Sequence, residues 1–424
     1  MVRQTTSFTN FAGYGIAGAI FFTSAAWLQW LEAINGDVAE ALRDGAPGLA
    51  QMQELRDAVA DFRAQGKPVV AFAETFGEAG NAAAAAQKLL LVLSEKYEIG
   101  NSEVYATPSI GIALYPDSGD TAERMVKAAD IAMYEAKKRG GGRFQYYSKS
   151  LNTKLEQREE LEVGLRHALV RNEFILHYQP RIDLASGRLI GLEALLRWQH
   201  PRFGLLPPAR FLPILESSGL IHSAGDWVIQ TATRQLTAWQ QRFELPDLSV
   251  AINISAQQLM HKRLVEVVAK ALSDTMLDPG CIELEISDGD IVRKRITELE
   301  TLRGLRKLGV RLSLDRFGAR EISFESLDNG FIDSFVLDRD LVANLMDNGS
   351  HQRIIRAAVA MAQGLDIEVA AEGIETMSQL EFLKSVNCDL AQGFLIARPM
   401  QPEKIAAILR SEIAGTRLLA RGMP

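Results

Sequence analysis

The chain has 424 residues, of which 47% are hydrophobic and 23% are charged, a composition typical of a globular protein with two or three domains. Its formal net charge of −7 argues against binding to a nucleic-acid polymer through a basic surface, although a few local arginines can still hold a small anion. The two cysteines, Cys281 and Cys388, lack metal-site spacing and predict neither a disulfide nor a zinc site, which is typical of a cytoplasmic protein.

Residues 1–80 form an N-terminal segment that begins with an uncharged stretch. Residues 11–31 are long enough to cross a bilayer and carry aromatic side chains near both ends. The same stretch contains Gly13, Gly15 and Gly18 together with several hydroxyl residues, which fit a buried or interfacial amphipathic helix equally well. The sequence therefore leaves two alternatives open: attachment to the inner membrane through residues 11–31, or a helix without a membrane role.

A helix and a strand are predicted later in this N-terminal segment. Apolar residues recur at three- and four-residue steps from Leu49 to Phe62, Gly66 ends the helix, and GKPVVAFAET has the pattern of a buried strand. The pattern of residues 35–80 resembles part of the non-catalytic region of signal peptide peptidases. No serine–lysine catalytic pair can be assigned, so we infer no protease, and a generic α/β fragment explains the pattern as well.

Residues 81–148 have a different pattern, in which an Ala-rich helix precedes the strand TPSIGIALYP, the helix TAERMVKAADIAMYEAKKRG and a short final strand. SIGIALYP and AADIAMYEAKKRG resemble the second half of a GGDEF domain, the diguanylate cyclase fold. The family's signature turn, which holds metal and GTP, and the strand with the other metal carboxylate are absent from the sequence. Lys137 matches a phosphate-contacting lysine of that family, but a solvated helix lysine explains it too. We therefore predict no diguanylate cyclase activity, and a linker helix at residues 149–164.

Residues 165–412 alternate between strand-like and mostly helical runs, which predicts an α/β fold with a (β/α)8 TIM-like barrel, followed by a C-terminal tail at 413–424. In such barrels the chemistry gathers at the C-terminal ends of the strands. Carboxylates that converge there repel one another without a cation, and hard oxygen ligands suit Mg²⁺ or Mn²⁺. The polar residues that end successive strands are Gln179, Glu193, Asn253, Glu285, Asp315, Glu372 and Gln392.

Motifs along this segment resemble the EAL domain family, a barrel that binds and hydrolyses cyclic di-GMP. Glu193, Ala194 and Leu195 correspond to the eponymous triplet within YQPRIDLASGRLIGLEALLRWQHP, and FLPILESSGLI, AINISAQQL, AAEGIET and DLAQGFLIARPM follow in the family's order. The metal ligands that this resemblance implies are Glu193, Asn253, Glu285, Asp315 and Glu372. The residues that it implies for binding cyclic di-GMP are Gln179, Leu195, Arg197, Glu375 and Gln392.

The chain departs from the family pattern at positions that, by the resemblance, bind metal, position the attacking water or shape the loop beside the site. Arg316 stands where the family has a second Asp that contributes to both metals, and its guanidinium among the remaining carboxylates is expected to replace one cation. Val336 stands where the family has a lysine that steadies the attacking water. The loop after Phe317 reads GAREISF and has lost a glycine, and Asp288 replaces the Glu that steadies this loop.

Three functions remain open from the sequence. The favoured one is a degenerate GGDEF–EAL protein of cyclic di-GMP signalling, a catalytically inactive receptor or regulatory module with impaired Mg²⁺ or Mn²⁺ binding. The second is an active but weak cyclic di-GMP phosphodiesterase, in which Glu321 would supply a substitute carboxylate. The third is a protein–protein interaction scaffold that no longer binds the nucleotide. A protein partner and a homodimer are compatible with all three.

Overall fold

The computed structural model describes residues 79–94, 96–99, 102–105, 107–114, 117–287, 296–318, 331–415 and 418. The candidate membrane segment at 11–31 and the peptidase-like pattern at 35–78 therefore lie outside the described residues. The chain divides into two compact units, residues 1–160 and 161–424.

The described part of the first unit is a small α/β arrangement. Its elements are helix α1 (Ala79–Leu93), strands β1 (Lys96–Ile99), β2 (Ser102–Tyr105) and β3 (Ser109–Ile112), helix α2 (Ala122–Lys138) and strand β4 (Arg143–Tyr146). Strands β3 and β4 pair in parallel, and α2 connects them. These elements confirm the helices and strands predicted from the alanine-rich run, SIGIALYP and AADIAMYEAKKRG.

Close packing between α2 and β3 explains the glycine in SIGIALYP. A Cβ at Gly111 would lie 1.9 Å from the carbonyl oxygen of Ala129 and 2.5 Å from the backbone nitrogen of Met133, so no larger residue fits. Helix α2 begins after Thr121, whose side chain accepts a hydrogen bond from the backbone N–H of Arg124. Lys137 is exposed in the last turn of α2.

The second unit is a barrel of strands with helices packed around it. Its strands are β5 (Phe174–Asp183), β6 (Leu189–His200), β7 (Gly204–Leu206), β8 (Ser249–Ile254), β9 (Ile282–Ser287), β10 (Arg311–Phe317), β11 (Ser334–Leu337), β12 (Glu368–Ala371) and β13 (Leu390–Ala391). Its helices are α3 (Lys149–Ala168, which begins in the first unit), α4 (Pro208–Ser217), α5 (Ile221–Phe243), α6 (Ala256–Leu259), α7 (Arg263–Thr275), α8 (Ile296–Leu308), α9 (Arg339–Ala343), α10 (Gly349–Leu365), α11 (Met377–Ser385) and α12 (Pro402–Ile413).

The strand order β5-β13-β12-β11-β10-β9-β8-β6 closes on itself because β5 also pairs with β6, and β7 extends β6 as a hairpin. Strand β5 runs antiparallel to both of its neighbours, whereas the strands from β6 through β8 to β13 pair in parallel. The predicted α/β barrel is thus confirmed. In the motif DLAQGFLIARPM only Leu390 and Ala391 form a strand, and a turn follows.

The core lies between the barrel strands and the helices around them. Helix α5 has a buried apolar face that includes Ile229, Leu236 and Trp239, and the strands contribute Val250 and Leu284 to the same cluster. Burying such side chains stabilises the fold by about 1.5–3 kcal/mol each. The rigid barrel therefore fixes the positions of the side chains that point into it.

No helix among the residues that the structure describes is long and apolar enough to cross a membrane.

Candidate functional site

Three acidic side chains converge towards the C-terminal ends of the barrel strands. Glu193 on β6, Glu285 on β9 and Glu372, directly after β12, each place a carboxylate oxygen within 4.8 Å of the others. Asn253 on β8 joins this group, because its Nδ2 donates a hydrogen bond of 2.7 Å to Oε1 of Glu193. Asp315 on β10 is close enough that its charge raises the pKa of Glu372. The structure thus brings together the side chains that the EAL resemblance implies as metal ligands.

The parallel register explains this convergence. Asn253 pairs with Glu285 across β8 and β9, while Glu193 pairs with Ala251, two residues before Asn253. Residues two apart on a strand point to the same side of the sheet. The inward-facing polar residues of neighbouring strands therefore meet at one level of the barrel.

Arg181 lies in the middle of this acidic group. Its side chain is 5% exposed, and its Nη1 donates to Oε1 of Glu283 at 2.9 Å. Its Nη2 donates to Oε1 of Glu285 in a short contact and to Oε1 of Glu372 at 3.3 Å. The sequence reasoning did not single out this residue, although an arginine two positions after Gln179 on an apolar strand points to the same face.

Two glutamine amides continue the network from Arg181. The Nε of Arg181 donates to Oε1 of Gln392 at 2.6 Å. The Nε2 of Gln392 donates to Oε1 of Gln179 at 3.0 Å and, in a shorter contact, to Oε2 of Glu193. The Nε2 of Gln179 donates to the carbonyl oxygen of Ala397 at 2.9 Å. All of these side chains are buried, so each amide is held in one orientation.

Burial is the main cause that raises the pKa values of the clustered carboxyls. It raises the pKa of Glu372 to about 8, together with the charge of Glu193 and against the effect of Arg181. The pKa of Glu285 also rises well above its usual value through burial, again opposed by Arg181. Burial likewise raises the pKa of Asp315, which Arg316 opposes. Burial thus favours the neutral forms of these carboxyls, and the nearby arginines oppose that effect.

The charge of Arg181 is secured by the same acids. Burial disfavours its charged form, but Glu285, Glu283, Glu193 and Glu372 together raise its pKa well above the usual value. The group therefore contains its own positive charge.

Arg316 occupies a different environment from the one that the sequence suggested. Its backbone has φ of 59°, and the β10–β11 register shifts between Leu314 and Phe317. Its side chain is 62% exposed, with its Nε 3.5 Å from Oδ2 of Asp315. The guanidinium among the carboxylates is accordingly that of Arg181.

Val336 offers no polar atom to the site. It is buried in β11 and packs against Ala370, Leu390 and the partly buried Ile190 in a small apolar cluster. Asp288, Glu321 and the loop at 319–324 lie outside the described residues.

The other residues implied in ligand binding differ in their exposure. Arg197 is half-buried on β6; burial lowers the pKa of Arg197 against the opposing effect of Glu193, and its Nη1 donates to the carbonyl oxygen of Leu196 at 2.8 Å. Leu195 is also half-buried, whereas Glu375 is exposed and accepts a hydrogen bond of 3.0 Å from Nη2 of Arg339. Gln179, Gln392 and Arg197 are therefore placed by the barrel, and Glu375 lies on its surface.

Carboxylate and amide oxygens suit Mg²⁺ or Mn²⁺ in type. However, Arg181 already bonds two of the three converging carboxylates, Glu285 and Glu372. As arranged, the acidic group does not fit a divalent metal without displacement of Arg181, because the guanidinium engages Oε1 of Glu285 and Oε1 of Glu372.

An eight-stranded barrel that closes through one antiparallel strand and carries an acidic group inside defines a barrel of the EAL type. The EAL domain family matches residues 162–399, more than half of the chain, and the chain belongs to this family. The diguanylate cyclase GGDEF domain family matches residues 37–143, and this match includes most of the segment whose pattern resembles a peptidase fragment.

Relatives with known names match most of the chain. MucR of Pseudomonas aeruginosa, a bifunctional diguanylate cyclase/cyclic di-GMP phosphodiesterase, is 38% identical over 330 residues, which cover 78% of this chain and 48% of that protein. The cyclic di-GMP phosphodiesterase PdeR of Escherichia coli is 35% identical over 317 residues, or 75% of this chain and 48% of that protein. This chain thus spans about half the length of these curated relatives.

A solved structure described as "PaMucR Phosphodiesterase, c-di-GMP complex" shares the barrel. It is 38% identical, has a TM-score of 0.56, and the match covers 58% of this chain and 99% of that one. The chain therefore belongs to the EAL domain family and also contains a segment that matches the GGDEF domain family.

Proposed function

We propose that this chain is a receptor that binds cyclic di-GMP in the EAL barrel without hydrolysing it and passes the signal to a protein partner. The observation that carries the proposal is the combination of kept and lost side chains. Gln179, Arg197 and Gln392 stand where the EAL resemblance implies ligand contacts, whereas Val336 is an apolar side chain where the resemblance implies a lysine that steadies water.

The residues present suit recognition of a phosphodiester. Arg197 offers a planar guanidinium that can bond two phosphate oxygens. Gln392 and the carbonyl of Ala397 fix the amide of Gln179, which uses only one of its two amide hydrogens there and so need not first be ordered to meet a ligand. Preorganisation of this kind favours binding and does not itself cleave a bond.

Hydrolysis requires more than these residues supply. Metal-assisted cleavage uses cations to lower the pKa of water and to screen the phosphate charge. Here a guanidinium bonds the carboxylates that would hold a cation, and Arg316 replaces a further acidic ligand implied by the resemblance. The described residues of the first unit carry no diguanylate cyclase signature turn, so we also propose that the chain makes no cyclic di-GMP from GTP.

A weak phosphodiesterase is the second candidate. Its support is that Glu193, Glu285 and Glu372 converge and that relatives such as PdeR are named cyclic di-GMP phosphodiesterases. Product analysis distinguishes it from a receptor, since a phosphodiesterase converts cyclic di-GMP to a linear dinucleotide.

Calorimetric titration of the full chain with cyclic di-GMP, with and without Mg²⁺, tests the receptor. We expect saturable binding, no linear product, and weakening by at least about tenfold, equal to about 1.4 kcal/mol, in Arg197→Ala. The matched control is Arg188→Ala, which removes an exposed arginine and leaves the affinity unchanged. Linear product from the natural chain would support the phosphodiesterase, and an absence of binding would support the interaction scaffold.

A further inference from the structure

A buried arginine bonded to three carboxylates is the feature that the receptor proposal leaves unexplained. The Nη1 of Arg181 bonds Glu283, and its Nη2 bonds both Glu285 and Glu372. Removing a guanidinium from water is costly unless carboxylates at close range compensate for it. Here acids on strand β9 and directly after β12 provide that compensation. All of them are far from Arg181 in the sequence.

The position of the guanidinium decides what else can enter the site. A divalent ion binds carboxylate oxygens at about 2.1 Å and, being doubly charged, repels a second cation at that range. The carboxylates that Nη2 bonds, Glu285 and Glu372, are two of the three that converge. A metal and the observed Arg181 therefore compete for the same groups.

Arg181 also determines the orientation of an amide that faces the ligand site. Its Nε bonds Oε1 of Gln392 at 2.6 Å, so the amide nitrogen of Gln392 must point towards Gln179 and Glu193. Because amide oxygen and nitrogen have opposite hydrogen-bonding roles, this contact selects one of the two amide orientations. A single side chain thus balances the charge of the acids and orients Gln392.

We propose that Arg181 is a built-in cation that takes the place of a divalent metal in this barrel and keeps the metal out. Arg181 is in this sense a positioning residue. A second consequence rests on the proposed receptor function. Because Arg181 stands in for the metal, the affinity for cyclic di-GMP is independent of divalent cations.

Binding of Mn²⁺ without nucleotide tests whether Arg181 keeps a metal out. It is measured on the full chain by the loss of the electron paramagnetic resonance signal of free Mn²⁺. We expect the natural chain to leave the signal unchanged. Arg181→Met keeps a long unbranched side chain without charge, and we expect it to bind Mn²⁺ at least about tenfold more tightly than the natural chain. Arg188→Met, at an exposed arginine of the turn between β5 and β6, is the matched control and behaves like the natural chain.

Arg181→Lys guards against failure of the methionine variant to fold. Lysine keeps the charge but lacks the planar fork that bonds three acids and Gln392 at once. We expect this variant to fold and to bind Mn²⁺ more tightly than the natural chain. Equal Mn²⁺ affinity in the natural chain and in the folded Arg181 variants would overturn the proposal. So would tight Mn²⁺ binding by the natural chain that disappears in Glu285→Gln.

Titration with cyclic di-GMP in a chelator and in Mg²⁺ tests the second part. Equal affinity under both conditions is expected, and loss of binding in the chelator would contradict metal independence. Absence of nucleotide binding under both conditions would refute the receptor function. The Mn²⁺ measurement involves no nucleotide, so it would still test whether Arg181 keeps a metal out.

Discussion

Arg181 and Glu283 form a buried salt bridge of 2.9 Å between β5 and β9, and Oε2 of the same glutamate accepts a hydrogen bond of 3.1 Å from Ser334 on β11. Glu283 thus connects strands on different sides of the barrel interior through charged and neutral partners. Removing Glu283 would leave buried Arg181 with two acidic partners instead of three and Ser334 without this acceptor, in a medium of low polarity.

Glu283→Ala is therefore expected to lower the free energy of unfolding by about 3 kcal/mol, because Arg181 loses a partner while remaining buried. Urea unfolding followed by circular dichroism measures this change. The matched control is Glu300→Ala, which removes the partner of Lys262 at the exposed surface and should leave the transition midpoint where it is. If both variants unfolded at the same urea concentration, the salt bridge inside the barrel would contribute no stability.

Reversion of the two departures from the family pattern tests the assignment of the lost catalytic groups. We expect no cleavage of cyclic di-GMP by the natural chain with Mg²⁺ or Mn²⁺. Added to Arg181→Met, which removes the competing guanidinium, Arg316→Asp with Val336→Lys restores an acidic ligand and a buried cation, and this combined variant is expected to raise cleavage at least about a hundredfold above background. The measurement is chromatographic separation of the linear product. A natural chain that already cleaves at a rate that the reversion does not raise would show that these positions are misassigned.

The thiols provide a test of the described barrel packing. Cys281 and Cys388 are both buried, and burial raises the pKa of Cys388 to about 12 and also raises the pKa of Cys281. Since the thiolate is the reactive form, neither is expected to react with a chromogenic disulfide reagent at pH 8 in the folded protein. Two thiols per chain should react after denaturation. Rapid reaction of either cysteine without denaturant would contradict its burial.

His177 on β5 predicts a dependence of stability on pH. Burial, followed by the charge of Arg197, lowers the pKa of His177 in the folded chain, while its Nε2 has no hydrogen-bond partner. The unfolded chain then binds a proton on this histidine at a higher pH than the folded chain does. Stability from the neutral imidazole is thus complete above about pH 6.5 and is lost as the pH falls towards the folded pKa.

The variant His177→Gln is expected to show a smaller loss of stability than the natural chain over that pH range. Urea unfolding at a series of pH values between neutrality and about pH 5 measures the two slopes. Slopes that coincide would show that His177 takes up its proton equally in the folded and unfolded chain.

The barrel and its acids were predictable because each leaves a local signal. Apolar strands that end in carboxylates or amides recur along the segment, and the parallel register brings Glu193, Asn253 and Glu285 together. Arg181 was missed for a topological reason. Its guanidinium bonds acids on β9 and directly after β12, and a sequence does not show which strands the fold brings opposite β5.

Two local features also depended on contacts that a sequence does not display. The orientation of Arg316 follows from a positive φ and a register shift between β10 and β11, neither of which requires a glycine at that position. Strand β13 has only two residues, and Gly393, two positions further on, lies against the backbone of Ile374, where a Cβ would be 2.1 Å from the carbonyl oxygen. An apolar run alone could not reveal this close approach.

The covalent attachment of Arg181 has a consequence for how the barrel responds to its surroundings. A metal ion exchanges with solution, so its occupancy changes with supply, with chelators and with competing ions. The guanidinium of Arg181 on β5 is present once in every folded chain, and neither dilution nor a chelator can remove it. The charge balance inside this barrel is therefore inherited with the polypeptide, and it is the same in metal-poor and metal-rich conditions.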